Sequence, residues 1–84
     1  MNSKQRKTYE AIFAMPAPRN LLWADLESLF KSLGFVPIKG DGSKVTFEKG
    51  GASVSFHRPH PQKEAKPYQI KAVRAFFDAI GEKP

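Results

Sequence analysis

"GSKVTFEKGGASVSFHRPHP", residues 42–61, is the stretch whose reading decides the fold. Two runs of alternating apolar and polar residues meet at Gly50–Gly51. A two-residue glycine turn pairs Lys49 with Ala52, because glycine alone takes positive φ at both central positions without steric cost. Counting back from that turn, Phe47 faces Val54, Val45 faces Phe56 and Lys44 faces His57. The register gathers all four apolar residues on one face. Lys44, Thr46, Glu48, Ser53, Ser55 and His57 take the other. A slip of one residue mixes the two faces, so the pattern itself selects the pairing.

Working upstream, Phe35–Lys39 is extended and interrupted by Pro37, which suits an edge strand. Before it, "LLWADLESLFKSLGF" (21–35) is the clearest helix, with Leu22, Leu26, Leu29, Phe30 and Leu33 on one stripe. Asp25 and Glu27 sit near its start, where the helix dipole favours negative charge, and Gly34 suits its end. Trp23, in the first turn, reads as a core or edge anchor. "SKQRKTYEAIFAMP" (3–16) reads as a further short helix, with Ser3 as N-cap and Pro16 as its stop. A stiff connector through Pro18 follows. Downstream, Pro67 opens a last helix whose stripe is Ile70, Val73, Phe77 and Ile80, closed by Gly81. The order is helix, helix, three-stranded antiparallel sheet, helix: an α+β class in which helices must cover one sheet face and leave the other open.

The chain has 84 residues, enough for one domain with a modest core and no deep cleft. It has no cysteine, which excludes a disulfide framework and thiolate zinc sites. No apolar run is long enough to span a membrane and no secretory h-region follows the basic N-terminus, so the expectation is a cytoplasmic protein. Fourteen Lys and Arg against eight Asp and Glu give a net charge of +6. Only Leu21–Gly34 is net acidic. A small domain this basic points to a polyanion, nucleic acid first.

The chemistry-bearing residues collect at one end of the hairpin. Opposed residues on adjacent strands hold their Cβ atoms about 5 Å apart, so Lys44 and His57 are neighbours on the open face. Arg58 and His60 follow directly, stiffened by Pro59 and Pro61. Imidazole takes and gives protons near neutral pH, and fixed cations steady a phosphate and the charge that develops on it. Together these are the needs of RNA cleavage without a metal: a base for the 2′-hydroxyl, a cation for the pentacoordinate phosphate, an acid for the departing 5′-oxygen. Ser43, Lys39 and Lys49 add candidate RNA contacts to Lys44, Arg58 and His60. The same residues also fit a solvated Lys–His pair and a proline-held loop with exposed imidazoles. No metal site is expected, since His57 and His60 lack a companion ligand at a recognised spacing. "KGDGSK" lacks the context of a phosphate-binding loop, and no triad pattern flanks a serine.

These features resemble one family. The tryptophan-led helix with acidic residues, the "GS" followed by a basic residue, "FHRPHP", and the lysine-led last helix ending in glycine are similar to the HicA-type (YcfA-like) toxins of bacterial HicA–HicB toxin–antitoxin modules. The likeness runs from about Thr8 to Gly81. It implies a single HicA-like domain over 1–84, with 1–20 as N-terminal helix and proline-rich connector and 21–81 as core. It also implies a fold like a double-stranded-RNA-binding domain, with two helices on one face of the sheet (α-β-β-β-α) and the short N-terminal helix as an addition. In function it implies an mRNA interferase, a metal-independent endoribonuclease that halts translation and growth. Its partners are mRNA and a HicB-type antitoxin, with no cofactor.

Better-known members carry a histidine directly after "GS"; here that position is Lys44. An ordinary lysine, with a pKa of about 10.4, is a poor general base at neutral pH. Three readings stay open. His57 takes over proton transfer beside Lys44, or Lys44 itself acts, aided by Arg58 and the other cations of the sheet, or the protein binds RNA without cutting it. His60 falls where the family has the histidine of a "PRHP"-like stretch and reads as structural. An interaction protein with an open sheet face is a further possibility.

Overall fold

The computed structural model describes residues 1–83. Its elements are α1 (Ser3–Phe13), α2 (Trp23–Ser32), β1 (Val36–Lys39), β2 (Lys44–Lys49), β3 (Ala52–His57) and α3 (Pro67–Ala79). The strands form one antiparallel sheet in the order β1-β2-β3. Three helices with a three-stranded antiparallel sheet make the α+β, double-stranded-RNA-binding-domain-like arrangement expected from the sequence.

The hairpin has the register derived from its pattern: Lys44 pairs with His57, Val45 with Phe56, Phe47 with Val54 and Lys49 with Ala52. Gly50 and Gly51 have φ of 55° and 86°, the backbone that a two-residue turn of this hand demands. Val45, Phe47 and Phe56 are buried beneath the helices, and Val54 is half-buried. β1 is an edge strand, as Pro37 dictated, and begins one residue later than expected, because Phe35 turns into the core.

The helix layer meets the sheet at Phe30. Its ring lies parallel to Phe47, with centroids 4.2 Å apart and planes 5° from coplanar. Phe35 and Phe77 close around it at 5.2 and 5.4 Å. Trp23 packs edge-on against Phe56. α1 lies on α2 and α3, where Ile12 is fully buried and Tyr9 and Phe13 meet Phe77. Arg74 of α3 donates from Nε to the Ile12 carbonyl and from Nη2 to that of Ala14, which satisfies the end of α1.

Three helix-end details differ from the sequence reading. The N-cap of α1 is Asn2 rather than Ser3: Asn2 Oδ1 accepts from the Gln5 amide while Gln5 Oε1 accepts from that of Asn2, both at 2.8 Å. The reciprocal pair needs an acceptor side chain three residues on; from Ser3 that residue is Arg6, which has none. Leu22 is the N-cap of α2, 37% exposed, and the buried neighbours are Leu21 and Trp23. Backbone pairing explains this. Trp23 N donates to Lys63 O and Ala65 N to Leu21 O, so the β3–α3 connector crosses the start of α2 as a short bridge. Ile80 likewise caps α3 in a 40% exposed position, and the buried stripe ends at Phe77.

Because Phe30 touches both layers, truncating it opens a cavity at their junction. Phe30→Ala is expected to lower unfolding free energy by about 3–5 kcal/mol, a large share of a total of about 5–15 kcal/mol. Phe30→Leu should cost well under half of the alanine loss. Urea unfolding of the two variants checks this, and an alanine loss below 1.5 kcal/mol contradicts the assignment.

Candidate nucleic-acid interface

The outer face of the sheet is polar along β2 and β3 and open to solvent. Thr46 and Ser55 share a hydrogen bond across it at 2.7 Å. At the end away from the glycine turn, Lys44 and His57 are directly opposed and both exposed. The pairing runs one step further, since Arg58 N donates to Ser43 O at 2.9 Å. That step brings Ser43 beside His57, with Oγ 3.3 Å from Nδ1. When Nδ1 carries the ring proton it donates to Oγ, and Nε2 is left as the basic nitrogen. The Lys44 stem is held from the other side. A Cβ on Gly40 would approach Lys44 side-chain carbons to 3.1–3.2 Å, so a larger residue there would push the Lys44 stem aside by a few tenths of an ångström.

The backbone of His57 is pinned from below. Gln69 of α3, almost fully buried, donates from Nε2 to His57 O at 2.8 Å and accepts from Lys66 N at 2.9 Å. One buried amide thereby fixes both the exit of β3 and the entry of α3.

Arg58 is placed differently from the free cation that its position in the sequence suggested. Its Nε donates to Glu27 Oε2 at 2.7 Å and its Nη2 to Oε1 at 3.5 Å. The indole Nε1 of Trp23 donates to the same Oε2. Both members of the ion pair are largely shielded, with side chains 30% and 18% exposed. The hydrogen bond to Glu27 raises the Arg58 pKa, outweighing the opposite effect of burial. Much of the positive charge of Arg58 is therefore matched locally, and the residue ties the end of β3 to α2.

The remaining candidates are dispersed. Lys39 pairs with inward-facing Val45, which places it on the helix side of the edge strand, away from Lys44. Lys49 sits at the glycine-turn end, where Nζ donates to Leu33 O at 2.6 Å and lies 5.6 Å from the Phe35 ring centroid. There it caps α2. His60 is exposed in the β3–α3 connector. The structure thus brings together Ser43, Lys44, His57 and, beneath them, Arg58, but not Lys39 or Lys49. Leu22, Trp23, Pro59, Pro61 and Lys63 line a groove of about 370 Å³ alongside Arg58. Among the described residues no three His, Cys, Asp or Glu side chains gather in a metal-binding cluster. No described helix is long and apolar enough to cross a membrane.

Sequence reasoning missed Glu27 and Gln69. Glu27 lies four residues after Trp23, a helical spacing that puts both on one side. Nothing in the sequence connects it to Arg58, 31 residues away. Gln69, three residues into a lysine-led helix, carries no signal of burial.

A family model described as "HicA toxin of bacterial toxin-antitoxin" matches residues 23–79. Searches among curated proteins and among solved structures found no match.

Removing the Glu27 carboxylate leaves two donors unmatched, the indole of buried Trp23 and the guanidinium of half-buried Arg58. Hydrogen bonds to charged groups contribute about 1.5–3 kcal/mol, so Glu27→Ala is expected to destabilise the fold by about 2 kcal/mol. Glu27→Gln should recover part of that loss. Urea denaturation provides the measurement, and a loss below 0.5 kcal/mol would mark the contact as an ordinary surface ion pair.

Proposed function

The chain belongs to the HicA toxin family of bacterial toxin–antitoxin systems, and from that premise we propose that it is a metal-independent endoribonuclease acting on mRNA, with His57 and Lys44 at its centre. The observation that carries this reading is the exposed Lys44–His57 pair, with Ser43 Oγ 3.3 Å from His57 Nδ1. In a family whose better-known members place a histidine after "GS", the imidazole here stands directly across the hairpin from that position.

The proposed reaction uses these groups as follows. His57 Nε2 takes the proton of a ribose 2′-hydroxyl as the 2′-oxygen attacks the adjacent phosphorus. The Lys44 ammonium lies against a non-bridging oxygen and offsets the charge that gathers there. As the bond from phosphorus to the 5′-oxygen breaks, Lys44 supplies the proton that oxygen needs. The products are a 2′,3′-cyclic phosphate and a 5′-hydroxyl, and solvent returns the two side chains to their starting protonation. Ser43 holds the imidazole in the tautomer that leaves Nε2 basic. Arg58 sets the position of the strand end, and its outward N–H groups add a secondary phosphate contact. Lys39 and Lys49 contribute long-range attraction rather than contact at the scissile bond, and His60 stays outside the reacting groups. In the cell the consequence is arrested translation, relieved by a HicB-type antitoxin. Acting on mRNA, it would work in the cytoplasm.

A second reading, RNA binding without cleavage, is favoured by one specific feature: lysine at the family's histidine position. Induced expression separates the two. Wild type should arrest growth with fragmented mRNA. Loss of a general acid or base costs about 10²–10⁴-fold in rate, so His57→Ala and Lys44→Ala should each leave growth and message close to uninduced levels. Arrest with intact message, or cleavage undiminished in His57→Ala, would overturn the catalytic assignment.

A further inference from the structure

Between the Pro16–Arg19 connector and the start of α3 lies a cleft of about 440 Å³, outside the Lys44–His57 pair. Arg19, Lys66 and Lys71 line it together with Gln62, and Glu64 is its one acidic residue. All three cations are exposed. Ion pairs among the described residues join Lys4 to Asp25 and Arg58 to Glu27, so none of the three is matched by a carboxylate. The contrast with Arg58 is direct: that guanidinium is neutralised locally, and these cations are not.

The cleft is joined to the candidate site by structure. Gln62 belongs both to it and to the groove beside Arg58. Gln69 ties the Lys66 amide to the His57 carbonyl through one side chain. The connector that leaves β3 after His57 supplies Gln62, Glu64, Ala65 and Lys66 to the cleft wall. The bridge between Leu21–Trp23 and Lys63–Ala65 fixes its walls. Arg19 comes from a segment outside the residues that the family model matches.

We propose that this cleft is a second RNA site, which takes the phosphodiester backbone of the strand whose scissile phosphate lies at Lys44 and His57. The inference rests on the RNA reading above but not on catalysis. Arg19 and Lys71 each neutralise one phosphate and Lys66 adds a third contact. The site reads no base: it lengthens the footprint and sets the direction in which the message lies.

Counterion release gives the test a number. Each phosphate neutralised on a single strand contributes about 0.7 to the slope of log affinity against log salt, or about fivefold in affinity at 0.1 M salt. Binding of an uncleavable 2′-O-methyl oligoribonucleotide of about 12 nucleotides, within the usual footprint of such sites, is measured across a salt series. The proteins are wild type, Arg19→Gln/Lys71→Gln and, as a control for net charge, Lys31→Gln. The double variant should lose about 1.4 from the slope and about 25-fold in affinity at 0.1 M salt. Lys31→Gln should change neither by more than a third of those amounts. Thermal melts confirm that the double variant is folded. If it is not, the single variants Arg19→Gln and Lys71→Gln replace it, each expected to lose about 0.7 from the slope, and an unchanged slope in both counts as the same negative result. An unchanged slope in a folded double variant overturns the cleft assignment while RNA binding stands. Absence of salt-dependent binding in wild type overturns the RNA reading itself. A double variant that loses affinity for a poly-glutamate peptide, with its RNA slope intact, also overturns the proposal and assigns the cleft to an acidic protein segment.

Discussion

Phe30 lying flat on Phe47 holds the helix layer and the sheet in one register, and the placement of the polar residues follows from it. With Phe47 committed inward, strict alternation commits Val45 inward and Lys44, Thr46 and Glu48 outward. Val54 and Phe56 make the same commitment on β3, which turns His57 outward beside Lys44. The candidate site is therefore a by-product of core packing. Lys44 and His57 are both exposed, so core packing does not constrain their side chains. The helices supply only anchorage from below, through Gln69 to the His57 carbonyl and Glu27 to Arg58.

That division explains what the sequence disclosed. A period-two pattern either side of a glycine pair has one register that separates apolar from polar residues. The Lys44–His57 opposition could therefore be read without coordinates. Interactions that depend on how layers sit could not. Arg58 looked like a free cation because its neighbours in sequence are His57 and His60, whereas its neighbours in space are Glu27 and Trp23, and Glu27 engages two of its N–H groups. Lys49 looked like part of a basic face and turned out to cap α2 at Leu33. Leu22 fitted a helical stripe by spacing, yet the bridge to Glu64 draws it out of the helix and exposes it. In each case the deciding partner lies ten or more residues away, beyond the reach of local pattern.

The departure of Lys44 from the family's histidine is best weighed against this geometry. The sequence allowed Arg58 and the other cations of the sheet to act on Lys44 as a crowd of like charge. In the fold that crowd is thin: Arg58 is matched by Glu27, Lys39 is on the helix side of the sheet, and Lys49 is at the far end of the hairpin. His57 keeps a hydroxyl within reach of one ring nitrogen and leaves the other unengaged, which suits a proton acceptor better than the lysine does.

An open sheet face also sets how binding energy must be gathered. Two unit charges 4 Å apart interact by only about 1 kcal/mol in bulk water, against several times that where solvent is excluded. A single exposed lysine therefore cannot hold a phosphate in register for in-line attack. Without an enclosing cleft, orientation has to come from several weak contacts spread along the strand. A chain with a net charge of +6 and lysine or arginine on every helix and on two of its three strands has the means for this. The matched pair at Arg58 serves the complementary need, since it ties the strand end that carries His57 to α2. Rigidity at the reacting groups and dispersed charge around them are separable in this fold, because one is supplied by the helices beneath the sheet and the other by the exposed surface.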